Sequence, residues 1–297
     1  MADQPSAAFL LRGDRLLPAP ELAVAATDRG FTLGDGVFET LRTAGGRPFL
    51  LVAHLTRLRA GLRRLGIRGG PTDHEVGVAL TRAGATLAPA SEAVVRLTVS
   101  RGPAAGRGLV PGDSGPPTVI VHVTPLLPAA AERGGLRLII SAIRRNEGSP
   151  LSRIKSCNYL DNVLARQEAA AVRADDAVLL NNRGEIACAS AANLFWVDTA
   201  GSLVTPPPAC GVLPGVTRAV ILQLARRAGM PWREEAVGVQ AVLDRVREAF
   251  VTNSVRGIQP VGALAGQPVG AGAPGPVTRR LDALYADVVA AHARGVC

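Results

Sequence analysis

The chain has 297 residues, 47% of them hydrophobic and 19% charged, and a formal net charge of +9. This length suits two domains of ordinary size, and the absence of any apolar run of about 18 residues free of charges and breakers argues against a membrane span. The basic residues are scattered, and with only 3% aromatic residues for base stacking the chain is not expected to bind nucleic acid, whereas its positive field suits anionic metabolites.

The cysteines and histidines indicate neither a metal site nor a disulfide framework. Cys157, Cys188, Cys210 and Cys297 form no CxxC pair, and the four histidines are isolated. The first fifteen residues lack the basic and apolar regions of a secretory signal. We therefore expect no metal and a reducing, cytoplasmic location.

The hydrophobic pattern predicts strands and helices throughout the chain. Apolar residues at spacings of three and four predict the first helix, and Gly13–Asp14 is the expected turn of an opening strand pair. In chain order we expect strands at 8–11, 16–17 and 37–43, helices at 49–65 and 73–87, strands at 93–100, 117–123 and 136–143, a helix at 159–172, strands at 177–181, 185–187 and 194–197, a helix at 216–228, a strand at 249–252 and a helix at 276–292.

The order of these elements predicts two α+β domains. Strands and helices mix without a regular βαβ alternation, which argues against a doubly wound sheet. Residues 124–135 are rich in Pro, Ala and Gly and are the best candidate for a linker. We therefore predict a small domain over residues 1–123 and a larger one over 136–297.

One residue stands out chemically. Lys155 is the only lysine among 33 basic residues. An amine can lose its proton and form a Schiff base with a carbonyl, whereas a guanidinium stays protonated. Lys155 lies between a predicted strand and a predicted helix, where functional sites often lie. The alternative is that Lys155 has no function and remains by chance in a sequence with a strong compositional bias towards arginine.

Two further segments have the composition of a phosphate site. GVLPGVTR, residues 211–218, leads into a helix, whose free N–H groups and dipole bind phosphate. The small polar residues Thr252, Asn253 and Ser254 follow a strand. An ordinary helix cap and a common loop composition are the alternatives. A Schiff-base lysine together with phosphate-binding turns implies pyridoxal 5′-phosphate (PLP).

Seven segments, in this order and spacing, resemble the class IV aminotransferase family, the fold-type IV PLP enzymes. They run from about Asp28 to Val261 and read DRGFTLGDGVFETLR, HLTRL, SRGPAAGRG, IKSCNYL, AANLFWV, TPPPACGVLPGVTR and VTNSVRGIQPV. The resemblance implies a small N-terminal α/β domain, a larger C-terminal mixed α/β, barrel-like domain, and a homodimer.

The resemblance also implies the roles of individual residues. Lys155 would hold the cofactor and shuttle protons. Arg57, Val216, Thr217 and Ser254 would bind its phosphate, Leu213 would pack against its ring, and Tyr159 would lie near the ring hydroxyl. Phe38 and Arg107 would contact the substrate, the latter through a carboxylate. His54 begins an amphipathic helix and is expected to be structural.

The chain departs from the family pattern at one position. The family has a Glu five residues before the Asn of the NLF segment, where it binds the pyridine nitrogen, and this chain has Cys188. Glu185 lies three residues earlier, and in a strand an odd offset would place it on the opposite face. A thiol, with an ordinary pKa of about 8.5, cannot keep that nitrogen protonated well. The alternative is a tolerated substitution in a normal enzyme.

The sequence therefore favours elimination over amino transfer, because a leaving group can carry away the developing charge. The leading hypothesis is a lyase resembling aminodeoxychorismate lyase, which forms 4-aminobenzoate and pyruvate from an anionic substrate. A D-amino acid or branched-chain amino acid aminotransferase is the second hypothesis. A cofactor-binding homologue with altered or weakened activity is the third.

Overall fold

The structure, a computed structural model, describes residues 6–12, 15–18, 23–86, 92–106, 108–112, 115–127 and 135–296. Its backbone contacts divide the chain into two compact units. The first comprises Met1–Leu127, Ile154–Asn158 and Val289–Cys297, and the second comprises Pro128–Arg153 and Tyr159–Val288. The division expected from the sequence assigns the segment with Lys155 and the C-terminal residues to the second domain instead.

The first unit is built on an antiparallel sheet. Its strands follow the spatial order β2-β1-β6-β5-β3-β4. The elements are β1 (Ala7–Arg12), β2 (Arg15–Pro18), α1 (Arg29–Leu33), β3 (Gly36–Ala44), β4 (Arg47–Pro48), α2 (Leu51–Leu65), α3 (Asp73–Gly84), β5 (Ala93–Ser100) and β6 (Thr118–Pro125). β6 thus includes the first two residues of the predicted linker, and residues 128–134 of it lie outside the described chain.

Helices α2 and α3 bury their apolar stripes together with the inner face of this sheet. Leu55, Leu58 and Leu62 of α2 share one buried cluster with Val95 and Leu97 of β5. Most of β5 alternates between buried and partly buried residues, and its remaining side chains lie on the opposite face. Burial of these side chains, at roughly 1.5–3 kcal/mol each, fixes the positions of α2 and β3, on which part of the site depends.

The second unit contains a mixed sheet with helices. The strand order is β12-β11-β10-β13-β14-β7-β8-β9, with β15 paired to β14. The elements are β7 (Leu136–Arg145), α4 (Leu160–Ala171), β8 (Asp176–Asn181), β9 (Ile186–Ala189), β10 (Asn193–Asp198), β11 (Leu203–Thr205), α5 (Val216–Arg227), β12 (Trp232–Glu234), α6 (Val239–Leu243), β13 (Val246–Asn253), β14 (Gly257–Leu264), β15 (Gln267–Pro268) and α7 (Pro276–Arg294).

Small residues let α4 pack closely on this sheet. Ala165 and Ala169 are fully buried against Ala177 and Leu179 of β8. β7 pairs in parallel with both β8 and β14, while most other pairs are antiparallel. The mixed α/β architecture predicted from the sequence is confirmed. Among the described helices, none is both long enough and apolar enough to cross a membrane.

Candidate functional site

Lys155 is held by backbone pairing to β3. The amide N–H of Phe38 donates to the carbonyl of Lys155 at 2.9 Å, and the N–H of Cys157 donates to Gly36 at 2.9 Å. Val37 and Ser156 form an isolated antiparallel bridge between these contacts. The lysine lies between β7 and α4, as the sequence predicts, but its segment is anchored to the first unit.

The side chain of Lys155 lies against an aromatic ring that also carries an arginine. Its Nζ is 4.4 Å from the ring centroid of Phe38, and Cζ of Arg96 is 3.7 Å from the same centroid. Phe38 is buried and Lys155 partly so. Such cation–ring contacts restrict the amine to a defined position.

Arg96 is a candidate site residue that the sequence analysis missed. It lies on β5 between the buried Val95 and Leu97, opposite Thr40 of β3. An arginine flanked by apolar residues in a predicted strand was the available signal, but the 32 arginines of the chain obscured it. Arg107, the predicted substrate-binding arginine, lies outside the described residues.

Arg57 belongs to a buried polar cluster between α2 and β3. Its Nε and Nη2 donate to the two carboxylate oxygens of Glu39 at 2.8 and 2.7 Å. The second oxygen also lies 2.7 Å from Nδ1 of His54. Burial would raise the pKa of Glu39, but hydrogen bonds from Arg57 and His54 outweigh it and lower that pKa below its ordinary value. The carboxylate is therefore ionised, and the guanidinium is oriented by two parallel bonds.

His54 is the neutral member of this cluster. Burial lowers its pKa more than the bond to Glu39 raises it, and the charges of Arg57 and Lys155 lower it further. An ionised carboxylate can only accept, so Nδ1 of His54 carries the proton. The three side chains thus form a satisfied, buried network next to Lys155.

In the second unit, the start of α5 has the features of an anion site. Gly215 is the N-cap, and none of the side chains that the structure describes caps the helix. Thr217 is buried, and among the described residues its Oγ1 has no hydrogen-bond partner. Free N–H groups, the helix dipole and an unsatisfied hydroxyl together suit a phosphate group.

Asn193 shapes the loop that leads into α5. Its Nδ2 donates to the carbonyl of Leu213 at 3.1 Å, and a Cβ added at Gly215 would collide with its Oδ1. A glycine is therefore required for the loop to approach β10 this closely. From the sequence, this Asn is recognisable as part of the NLF segment, but its role at the loop is not.

The polar end of β13 lies beside the same loop. Thr252 pairs with Asn193 across the sheet, so their side chains share one face. Thr252 is buried, and its Oγ1 also has no partner within the described residues. Oδ1 of Asn253 accepts hydrogen bonds from the N–H groups of Val255 and Arg256. These bonds form a turn that contains the half-buried Ser254. The structure thus brings Leu213, Val216 and Thr217 to the polar end of β13.

Cys188 lies in β9 within a small buried cluster. It pairs with Leu179 and is grouped with Ala187, Cys210 and Val212. Burial raises the pKa of the Cys188 thiol, although the nearby charge of Arg145 lowers it slightly. Arg145 donates to the carbonyl of Gly211 at 3.1 Å, next to this cluster. Position 188 therefore presents a neutral thiol.

Glu185 does not replace the missing carboxylate. It precedes β9, so the opposite-face argument does not apply to it. Its Oε2 accepts from Asn181 and Arg183 at 2.7 and 2.8 Å, and Sγ of Cys210 lies 3.5 Å from the same oxygen. These bonds, Arg183 first, hold the pKa of Glu185 below its ordinary value. The carboxylate of Glu185 is therefore already paired with Arg183.

The predicted site residues are distributed over both units. Lys155, Arg57 and Phe38 belong to the first, while Tyr159, Cys188, Leu213, Val216, Thr217 and Ser254 belong to the second. Tyr159 is half-buried and precedes α4 as its N-cap residue. No group of three or more His, Cys, Asp or Glu that could hold a metal occurs among the residues that the structure describes.

Sequence comparison identifies related enzymes with several activities. The profile of the family described as "Amino-transferase class IV" matches residues 36–264. D-alanine aminotransferase of Bacillus licheniformis is 30% identical, over 92% of this chain and 94% of its own length. Aminodeoxychorismate lyase of Bacillus subtilis is 32% identical, over 83% of each chain. The branched-chain-amino-acid aminotransferase-like protein 2 of Arabidopsis thaliana is 30% identical, and the chain spans 49% of its length.

Solved structures support the same assignment. The branched-chain amino acid aminotransferase of Escherichia coli superposes with a TM-score of 0.84 at 26% identity, over 95% of this chain and 94% of its own. A hypothetical aminotransferase of Mycobacterium tuberculosis, solved in its PLP-bound form, shares the fold, with a TM-score of 0.79 at 24% identity over 96% and 98% of the two chains. From its sequence, its fold and its relatives, the chain belongs to the class IV amino-transferase family of enzymes.

Proposed function

We propose that this chain is a PLP-dependent lyase that converts 4-amino-4-deoxychorismate to 4-aminobenzoate and pyruvate. When bound, the cofactor supplies an aldehyde that condenses with amines and a ring that withdraws electrons from the bond to be broken. The buried neutral thiol of Cys188 is the observation that carries the choice of elimination.

The residues of the chain fit this cofactor. The start of α5 and the hydroxyls of Thr217 and Thr252, which have no partner among the described residues, would provide donors for its phosphate. Arg57 is proposed to provide a cation. Lys155 provides the amine, held at β3 by backbone pairing. Leu213 and Tyr159 are half-buried and would contact the ring.

The thiol at position 188 limits how far the ring can withdraw electrons. A carboxylate there would favour a protonated pyridine nitrogen, whereas burial raises the pKa of the Cys188 thiol and keeps it neutral. Amino transfer needs strong electron withdrawal. In elimination, Lys155 removes the ring proton while the bond between the ring carbon and the enolpyruvyl oxygen breaks, and the departing enolpyruvate takes the electron pair of that bond. The ring becomes aromatic, which favours the reaction.

An anionic substrate is consistent with the charge around Lys155. Arg96 lies over the Phe38 ring, beside the amine, and the chain carries a net charge of +9. A dicarboxylate would gain from a nearby guanidinium and from the overall field. Arg107 remains a proposed second contact to a carboxylate.

The test is to incubate the purified, PLP-loaded protein with 4-amino-4-deoxychorismate and to measure pyruvate and 4-aminobenzoate. We expect equal amounts of both products without any amino acceptor. Lys155→Ala, which lacks the amine, is the inactive control. Absence of pyruvate combined with amino transfer to 2-oxoglutarate would exclude the lyase.

An aminotransferase for D-amino or branched-chain amino acids is the second candidate. It is favoured by relatives named for these activities at 30% identity, close to the 32% of the lyase. It predicts one equivalent of keto acid from an amino donor in a single turnover, with the cofactor left in its pyridoxamine form.

A further inference from the structure

The polar cluster of Glu39, His54 and Arg57 occupies an unusual place in the first unit. The side chains of Glu39 and His54 are each 1% exposed, and that of Arg57 is 11% exposed. On the same strand and the same face, Val37 and Leu41 belong to the hydrophobic core. A carboxylate and a guanidinium therefore lie in a layer that apolar residues fill elsewhere.

Such a cluster is not explained by stability. Apolar residues of similar volume often replace a buried ion pair with no loss of stability, because desolvation of the charges offsets their attraction. What the pair does provide is orientation. Glu39 accepts from both Nε and Nη2 of Arg57, so the plane of the guanidinium is fixed.

His54 also restrains the carboxylate of Glu39. Its Nδ1 lies 2.7 Å from the same oxygen that accepts from Nη2 of Arg57. His54 and Arg57 are three residues apart on α2 and therefore share one face of the helix. The carboxylate is thereby held between two donors of one rigid element, and it cannot rotate without losing bonds.

We propose that Glu39 is a positioning residue for Arg57, which it holds in the orientation that binds the phosphate of the cofactor. Arg57 has a long, flexible side chain that would lose entropy on binding if it were free. The bidentate bond to Glu39 removes that cost in advance, as preorganisation of a binding group requires. The inference rests on the phosphate role that the proposed function gives to Arg57, and not on the lyase reaction.

The experiment compares two ligands that differ only in the phosphate. The full-length chain is stripped of cofactor, and the dissociation constants of PLP and of pyridoxal are measured by absorbance titration. The ratio of the two constants reports the contribution of the phosphate site, and a general loss of structure weakens both ligands alike. Residues that orient metal ligands typically contribute 10- to 100-fold to metal affinity, and by analogy we expect Glu39→Gln to reduce the preference for PLP by about tenfold.

The arms of the experiment separate this proposal from the role of Arg57. Arg57→Gln should reduce the PLP preference at least as much as Glu39→Gln, and the double variant should match Arg57→Gln. Asp73→Asn is the matched control. It breaks an exposed ion pair between Asp73 of α3 and Arg59, which lies on α2 as Arg57 does, and it should leave the preference unchanged.

Three results would overturn the proposal. If Arg57→Gln loses the preference and Glu39→Gln keeps it, Arg57 binds phosphate without help from Glu39. If the double variant is weaker than Arg57→Gln, Glu39 acts through another group. If neither single variant changes the preference, the phosphate role of Arg57 itself is wrong. Should Glu39→Gln fail to fold, Glu39→Asp, which keeps the buried charge but shortens its reach to Arg57, takes its place in the same comparison with the same expected loss of preference.

Discussion

At the scale of a single residue, position 188 is where this chain departs from the family pattern. The chemistry expected of the site depends on a carboxylate there, and the structure shows a neutral, buried thiol close to the cationic Arg145. Lys155 is present, and so are the segments to which we assign phosphate binding. The departure from the family pattern therefore concerns the residue proposed to set electron withdrawal, and not those proposed to hold the cofactor.

Restoring the carboxylate should shift the reaction towards amino transfer. In Cys188→Glu, the new side chain has Arg145 as a nearby counter-charge, so it would be ionised and could favour a protonated pyridine nitrogen. We expect the rate of keto-acid formation from an amino donor to rise by about tenfold, equivalent to ~1.4 kcal/mol. Stopped-flow absorbance in a single turnover measures it.

Cys188→Gln is the matched control, since it has the size of Glu without the charge. It should not raise amino transfer. An equal increase in both variants would mean that the volume at position 188, and not the charge, limits the reaction. A fall in pyruvate release with no gain in amino transfer would show that the thiol itself serves the lyase.

At the scale of elements, the pairing of β3 with α2 depends on ionisable groups. Both Glu39 and His54 have lowered pKa values in the folded state, with burial the largest influence on each. For both groups the unfolded chain binds protons at a higher pH than the folded chain. Stability is therefore lost as the pH falls, first below the ordinary pKa of 6.5 for His54 and then below 4.5 for Glu39.

The melting temperature should show this loss between pH 7 and pH 5. We expect it to fall in the wild type and to fall less steeply in His54→Gln, which cannot take up a proton. Differential scanning calorimetry of the PLP-free chain measures the slope. His74→Gln changes an exposed histidine of α3 and should keep the slope of the wild type. Identical slopes in all three proteins would rule out His54 as the titrating group.

Elements with a clear hydrophobic period could be predicted from the sequence, and those without one could not. The strand predicted at residues 93–100 matches β5 at both ends. Helix α2 begins two residues later than predicted, because Leu50 adopts a left-handed φ of 55° that the sequence does not signal. Strand β14 was missed because it contains Pro260 and Gly262, residues that usually interrupt strands.

At the scale of the whole molecule, the sequence indicates the chemistry of the candidate site more clearly than the residues that hold the site in place. Lys155 stands out by its residue type alone. Glu39 does not, because β3 is buried on both faces and shows no alternation that would make an inward carboxylate conspicuous. Nor could the pairing of residues 154–158 with β3 be foreseen, since it joins segments more than 100 residues apart. Local pattern predicts elements, whereas a positioning network exists only after tertiary packing.

Exposed apolar residues on the first unit predict that two copies of the chain associate. Phe31 of α1 is 79% exposed, and Leu109 and Val110 are 82% and 85% exposed. Arg29 donates to the carbonyls of Gly108 and Leu109 at 2.8 and 2.9 Å, so these segments lie side by side. Exposed apolar side chains grouped in this way mark an association surface.

Light scattering with size-exclusion chromatography should therefore give twice the chain mass of 30.7 kDa. Phe31→Ser with Val110→Ser should shift the mass towards a single chain, because it removes apolar area that association would bury. The exposed Val172 lies at the end of α4, and Val172→Ser is the matched control that should stay dimeric. A wild-type mass of one chain would contradict self-association, and a dimer that survives the double substitution would place the interface elsewhere.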